Sequence, residues 1–335
     1  MNKEGEPLDF TRRDLGKLAL AALPAAKLLA KPNSNFDGVQ IGVITYSYRS
    51  MPGATDADAL LKYIVDSGIS GIELMGPAAE IYAGSPTLAG RGPGGGGREP
   101  GAPGRGPGVG RAPLTPEQQA AQQARAAELR AWRLSVSMDK YKALRKMYND
   151  AGVDIYAFKL EPNPNMSDEE YDYIFHVADT LGANHVTLEL SNDAAFTKRI
   201  GDFAAKKRMR VAYHAHTQAN MTAWDAVLEQ SAGNAMNLDC GHYVAGTSES
   251  PIPLIRKHSS RIASMHLKDR KKASNGGANL PWGQGETPIK EILTLMRQQK
   301  YKFPASIELE YQIPEGSDAV VETAKCVQFC KNALA

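Results

Sequence analysis

The sequence reads as a (β/α)8 barrel, a single α/β domain. Short β-branched runs alternate with amphipathic helical stretches, and eight such pairs can be counted between Val39 and Leu334. With an N-terminal leader and one insertion set aside, the pairs fill about 280 residues, a size such barrels commonly take. No Gly-rich phosphate turn follows the first run, so a doubly wound sheet, the structural alternative, lacks its signature. With 335 residues, 42% of them hydrophobic and 23% charged, the chain can bury a sizeable core, and disorder as the dominant state is excluded.

The elements follow in order. The first strand, Val39–Ser47, leads to a helix over Ala57–Ser67, and the second strand is Gly71–Met75. The stretch Gly84–Pro113 breaks the rhythm: it is rich in Gly, Pro and Arg, with an unbroken glycine run over Gly94–Gly97. It cannot bury enough apolar surface to offset chain entropy, so a disordered, solvated insertion after strand two is expected. Pro116–Arg133 is a Gln- and Ala-rich helix suited to the surface, and Met138–Ala151 is the helix before strand three, Asp154–Leu160. The next helix, Asp168–Leu181, has a capping box in Ser167 and Glu170. Strand four, His185–Leu190, is followed by the helix Ala194–Lys207. Strand five, Arg210–His216, is followed by the helix Ala223–Ser231. Strand six, Ala235–Asp239, precedes the helix Ile252–His258, and strand seven, Ile262–Lys268, precedes Pro288–Gln299. Ser250-Pro251 and Thr287-Pro288 each offer those two helices an N-cap oxygen before a first-turn proline. Strand eight, Ala305–Tyr311, and the helix Asp318–Leu334 close the set.

Residues 1–32 read as an address. Thr11-Arg12-Arg13-Asp14-Leu15-Gly16-Lys17 precedes a mildly apolar run to Ala30, broken by Pro24 and Lys27. That run is short of the roughly 20 apolar residues a membrane span needs. The paired arginines resemble a twin-arginine export signal, which implies a periplasmic or otherwise exported protein with no membrane attachment after the signal is removed. The folded domain then spans 36–335.

The net charge is +2. The excess is local: Lys3, Arg12, Arg13, Lys17 and Lys27 outnumber four acids in the leader, and Arg91, Arg98, Arg105 and Arg111 face only Glu99 in the insertion. The remaining body is slightly acidic, which argues against nucleic acid as a partner. The cysteines, three in all, cannot build a disulfide framework. Cys326 and Cys330, one helical turn apart, fit a helix face turned to the core, and Cys240 points away from its neighbour Asp239 by strand parity.

In a barrel, functional groups project from the C-terminal ends of the strands. Those ends carry His214-Ala-His216, Asp239-Cys-Gly-His242, His266-Leu-Lys268-Asp269 and Glu308-Leu-Glu310. Residues two apart share a face of a strand, so four consecutive strands send imidazoles, carboxylates and a lysine into one mouth. Burying so many ionisable groups without partners is costly, and one divalent cation is the economical answer: Mn, Co, Zn, Mg or Fe. The expected ligands are His214, Asp239, His266 and Glu308, one from each strand.

From Val39 to Leu334 the chain resembles the xylose-isomerase-like barrel superfamily of sugar isomerases and epimerases. The motifs are Asn237-Leu-Asp239-Cys-Gly-His242, His266-Leu-Lys268-Asp269, Ile307-Glu308-Leu-Glu310, and Gly283-Gln-Gly285 before the seventh helix. In that family's ketose epimerases, Glu, Asp, His and Glu from strands five to eight hold the metal; Asp239, His266 and Glu308 match the last three. His242 matches a histidine that binds substrate hydroxyls. The resemblance therefore implies a metal-stabilised enediolate formed from a small carbohydrate, an unphosphorylated sugar or keto-sugar. Epimerisation or isomerisation is the expected outcome, with dehydration or hydration on the same site as the alternative. A sugar-binding protein without activity is the reading from another class, and the superfamily's DNA-cutting branch is disfavoured by the charge. Strand five departs from the pattern, with His214 where the epimerases carry a glutamate that is both ligand and base. Glu189, at the end of strand four, is the candidate to replace that carboxylate. Lys268, with a pKa lowered among imidazoles and metal, and Glu310 are the other candidates for proton transfer. His216 and Trp282 join His242 as candidate substrate contacts, Trp282 by stacking on a sugar face. The oligomeric state is not legible.

Overall fold

The computed structural model describes residues 31–86 and 115–335. Residues 1–30 and 87–114, which hold most of the expected export signal (1–32) and of the expected insertion (84–113), lie outside the described residues. Eight parallel strands close into a barrel: β1 Val39–Ile44, β2 Gly71–Met75, β3 Asp154–Lys159, β4 His185–Glu189, β5 Arg210–His214, β6 Asn234–Asp239, β7 Ile262–Leu267 and β8 Ala305–Ile307. Each strand pairs with its sequence neighbours, and β8 returns to β1, with Ile307 opposite Val43. A two-residue strand, Asn35–Phe36, adds antiparallel to the start of β1.

Strand alternation sorts the residues into two layers. Ile41, Val43, Ile72, Leu74, Val186, Leu188, Val211, Tyr213, Met236, Leu238, Met265, Leu267 and Ile307 are buried in one apolar core with the surrounding helices. The residues between them carry polar groups into the barrel, and these are paired, as buried polar groups must be. Tyr156 meets Ser306 at 2.6 Å, the Thr187 hydroxyl donates to Glu73 at 2.6 Å, and Ser264 donates to Asn237 at 3.1 Å. Gly42 makes room for this filling, since a Cβ there would collide with the Tyr156 hydroxyl. The barrel is therefore greasy outside and hydrogen-bonded inside.

The helices are α1 Ala57–Asp66, α2 Gly76–Tyr82, α3 Pro116–Arg133, α4 Asp139–Asp150, α5 Asp168–Leu181, α6 Ala194–Lys206, α7 Asp225–Gln230, α8 Cys240–Thr247, α9 Ile252–His258, α10 Ile289–Gln299 and α11 Ala319–Leu334. Two of them, α2 and α8, begin directly where a strand ends and are not legible as periodic segments. The capping box of Ser167 and Glu170 forms on α5. The cap expected of Thr287 does not: its hydroxyl accepts from the Arg270 amide at 3.1 Å instead, tying down the loop after β7. Ser250 likewise gives α9 only a bond to the Ile252 amide at 3.3 Å, with Pro251 as the cap. Helix α3 buries none of its side chains along most of its length and is anchored at its end, where Arg133 forks onto Glu80 of α2 at 2.7 and 2.9 Å. Cys240, Cys326 and Cys330 are all buried in the core. Among the described residues no helix is long and apolar enough to cross a membrane.

His185, at the base of β4, is fully buried between Asn184 and Ser264, its Nε2 lying 2.9 Å from the serine hydroxyl. Burial holds its pKa down, at about 4 against an ordinary imidazole's 6.5. The unfolded chain therefore binds a proton that the folded one refuses as pH falls from about 6.5 to about 4. Stability should drop across that window, and His185→Gln should flatten the drop. Urea unfolding at pH 7 and pH 4.5 measures both.

Candidate active site

The mouth of the barrel is built where β4 to β8 end. His214 and Asp239 are the last residues of β5 and β6, His266 is the penultimate residue of β7, and Glu308 follows β8. Register brings them level, with Asp239 opposite His266 and Ser306, two before Glu308, also opposite His266. One ligand atom from each of the four lies within 4.8 Å of the others, and all four residues are buried.

Each histidine has a carboxylate behind it. His214 Nδ1 lies 3.0 Å from Glu189 Oε2, while its Nε2 faces Asp239 Oδ2 at 3.4 Å. Burial pulls its pKa down, but the bonds to Asp239 and Glu189 outweigh this and leave it raised. His266 Nε2 lies 2.7 Å from Glu73 Oε2, and its Nδ1 lies 2.9 Å from Glu308 Oε2. Against the cost of burial, Glu73 and Glu308 push His266 up to about 10. The approach of Nδ1 to Oε2 runs off the N–H direction, so both atoms are buried without a hydrogen-bond partner of proper geometry. Two imidazoles and two carboxylates whose ligand atoms converge, with the His266 ring nitrogen among them lacking a hydrogen bond, could hold a divalent cation.

Lys268 corrects an expectation. Its ammonium is buried at 2.9 Å from Asp239 Oδ2, 2.8 Å from Glu308 Oε2 and 2.7 Å from Glu310 Oε2. Burial opposes its charge, yet the three carboxylates hold the pKa well above that of an ordinary lysine, where a lowered value was expected. As it stands in the structure, Lys268 is a donor and not a base. Against burial, which works to raise them, His242 and Lys268 hold Asp239, and Lys268 and His266 hold Glu308, well below the usual carboxylate range.

Glu189 does not enter the ligand group. Its other oxygen, Oε1, accepts from Lys159 at 3.0 Å, and the carboxylate is held down, against burial, chiefly by His214 and Lys159. Glu310, only 22% exposed, sits on Lys268 and lies 3.6 Å from His242 Nε2. His242 has Lys268 Nζ at 3.0 Å from Nε2 and Arg270 Nη1 at 2.5 Å from Nδ1. Burial first, then Lys268, lower its pKa to about 3, so it is neutral at physiological pH. His216 is 57% exposed and stacks on His242, ring centroids 4.7 Å apart. His214, His216 and His242 also come within 4.8 Å as a second group, but the cations on both nitrogens of His242 oppose a metal there. Trp282, half-buried in the loop after β7, packs edge-on against Phe329 of α11, ring centroids 5.6 Å apart. The loop it belongs to is pinned by Asp269, which accepts from the amides of Gly283, Gly285 and Thr287.

Sequence reasoning missed Glu73 and Lys159. The available signal was a charge in the otherwise apolar run Gly71-Ile-Glu73-Leu-Met75, and another at the end of β3.

Residues 119–329 match the xylose isomerase-like TIM barrel family, nearly two thirds of the chain. An inosose dehydratase of Clostridium botulinum is 26% identical over 153 residues, 40% of this chain and 51% of that protein. The chain thus spans about half the length of the curated relatives it matches. Among solved structures, the probable 3-DHS dehydratase of Bacillus anthracis superposes with a TM-score of 0.57 at 13% identity, covering 87% of this chain and 98% of that one. A D-psicose 3-epimerase gives 0.51 at 13% identity, covering 88% and 97%. These likenesses concern the fold.

Glu308→Gln should lose bound divalent metal, because an amide is a poor ligand in place of a carboxylate, and Glu310→Gln should keep it. Elemental analysis of the two purified variants beside the unaltered protein reads this directly. Loss from Glu310→Gln alone would place the ligand one pleat further out.

Proposed function

Since the chain belongs to the xylose isomerase-like TIM barrel family, we propose that it processes an unphosphorylated keto-sugar by removing the proton beside a carbonyl, with a divalent metal held by His214, Asp239, His266 and Glu308. The convergence of those four ligand atoms within 4.8 Å, next to the Lys268–Glu310 pair, carries this reading. A bound Mn, Co, Zn, Mg or Fe ion would supply Lewis acidity toward the substrate's carbonyl and hydroxyl oxygens. Glu310, outside the ligand group and beside it on Lys268, is the proposed acid–base residue. Lys268 holds it in place and offers protons to developing negative charge. His242, its two nitrogens facing Lys268 and Arg270, fixes those two cations at the mouth, and His216 stacks on it at the entrance, where the exposed ring of His216 is the proposed contact for substrate hydroxyls.

Among outcomes that share this first step, we place loss of a β-hydroxyl, a dehydratase reaction, ahead of epimerisation. A two-base epimerisation needs a free carboxylate on each face of the substrate. In this chain an imidazole stands at strand five, and Glu189 is engaged by Lys159 and His214. The relatives named as inosose dehydratases support the same order. Epimerase or isomerase activity is the second reading, favoured by the 42% exposure of Glu189 and its 3.4 Å approach to His216.

The test is incubation with inososes and free keto-sugars in deuterium oxide, with Mn or Co supplied. A dehydratase gives an unsaturated or rearranged ketone with loss of water. Deuterium entering an unchanged carbon skeleton would move the assignment to epimerase or isomerase, and binding without exchange would indicate a sugar-binding protein. Glu310→Gln should lower turnover by about 10²–10⁴-fold, the usual weight of a general acid or base.

The location proposed is outside the cytoplasm, on the strength of Arg12-Arg13. Replacing both by lysine should hold the full-length protein in the cytoplasm, and cell fractionation with an antibody to the barrel checks it.

A further inference from the structure

Glu73 stands apart from the other acids of the mouth. It lies in the middle of β2, is fully buried, and reaches across the barrel interior to β7. A carboxylate in that position is expensive unless it is paired. Its partners are few and fixed. Oε2 is 2.7 Å from His266 Nε2, Oε1 accepts from the Thr187 hydroxyl at 2.6 Å, and Asn237 Nδ2 stands further off at 3.4 Å. Asn237 is itself held by Ser264, whose hydroxyl also meets His185. The carboxylate therefore cannot swing, and the proton on His266 Nε2 has one acceptor close by.

We propose that Glu73 is a positioning residue that fixes the ring of His266 and commits its Nε2 as a hydrogen-bond donor, so that Nδ1 is the nitrogen presented to a metal. The inference rests on the metal-dependent reading above and goes beyond it, since it assigns the ligand atom and the residue that selects it. The orphaned state of Nδ1 is what that selection produces: with Nε2 satisfied, Nδ1 sits beside Glu308 Oε2 without a hydrogen bond. Carboxylates placed behind ligating histidines also raise ligand basicity, and their loss typically weakens metal binding by about 10–100-fold. Glu189 behind His214 is the matching arrangement on β5, approaching that ring at Nδ1.

The experiment uses the purified full chain, stripped of metal and titrated with Co2+ against a competing chelator. Glu73→Gln keeps the shape and removes the charge. Thr187→Val removes one brace and keeps the volume. Glu73→Gln should weaken Co2+ binding by about 10-fold or more. Thr187→Val should weaken it by a smaller factor, and both proteins should keep the unaltered protein's thermal midpoint in the metal-free state. In Zn2+-loaded protein carrying 15N-histidine, the His266 Nε2–H resonance should lie far downfield and move upfield in Glu73→Gln. Wild-type Co2+ affinity in both variants, with only the thermal midpoint lowered, would reduce Glu73 to a structural charge and overturn the proposal. The underlying metal reading fails separately, if the unaltered protein binds Co2+ no better than His266→Ala.

Discussion

The mouth of this barrel depends on one constraint: carboxylates brought into a buried space must each find positive charge. Asp239, Glu308 and Glu310 all meet a single ammonium, that of Lys268, at 2.7–2.9 Å. Taking such charges out of water costs several kcal/mol per ion. The geometry is retained because each of the three carboxylates has the Lys268 ammonium within reach. Removing Lys268 alone would leave three anions in mutual repulsion, so the lysine is part of the frame that holds the ligand group together. A charged lysine also fits the chemistry, since a fixed donor stabilises a developing oxyanion without having to reorganise.

The rest of the fold serves this cluster. Parallel strands in register set side chains level at one end, and the polar filling below keeps the ends from shifting. Tyr156 against Ser306, and Ser264 between His185 and Asn237, are hydrogen bonds that a register slip of one residue would break all at once. An all-apolar barrel would tolerate small slides, whereas this one specifies its register. That matters because ligand atoms gathered within 4.8 Å would not survive a displacement of one pleat.

Strand parity made His214, Asp239, His266 and Glu308 legible as a set, because a two-residue period and a common strand end are properties of the sequence itself. What parity could not give was direction across the barrel. Glu73 and His266 are 193 residues apart and meet only because β2 and β7 face each other through the interior. The state of Lys268 was misread for a related reason. Its pKa depends on how many carboxylates converge on one nitrogen, and a linear sequence does not count them. The course of the loop that carries Trp282 was not legible either, because it is set by its anchors, here Asp269 gripping three amides, and not by its composition. Thr287 was assigned to a helix cap by its place before a proline, and the Arg270 amide claimed its hydroxyl instead.

The replacement at strand five is best understood as a displacement of charge. Where the resembling epimerases carry a ligating glutamate, this chain carries His214, and the carboxylate stands one strand away, as Glu189, opposite His214 in register and against the far side of its ring. The anionic charge is kept near the centre but no longer touches it. An imidazole backed by a carboxylate is a stronger ligand than a bare imidazole, so in the proposed site His214 would remain a competent ligand. Proton transfer is not. A carboxylate that is bonded to a histidine and a lysine, and held below its ordinary pKa, is a weak base. In the proposed reaction the exchange would take a base from one face of the substrate and leave the ligand group in place. Chemistry that needs a single base and a departing hydroxyl survives such a change, and chemistry that needs two opposed bases does not. On that ground the departure from the epimerase pattern is itself the argument for elimination.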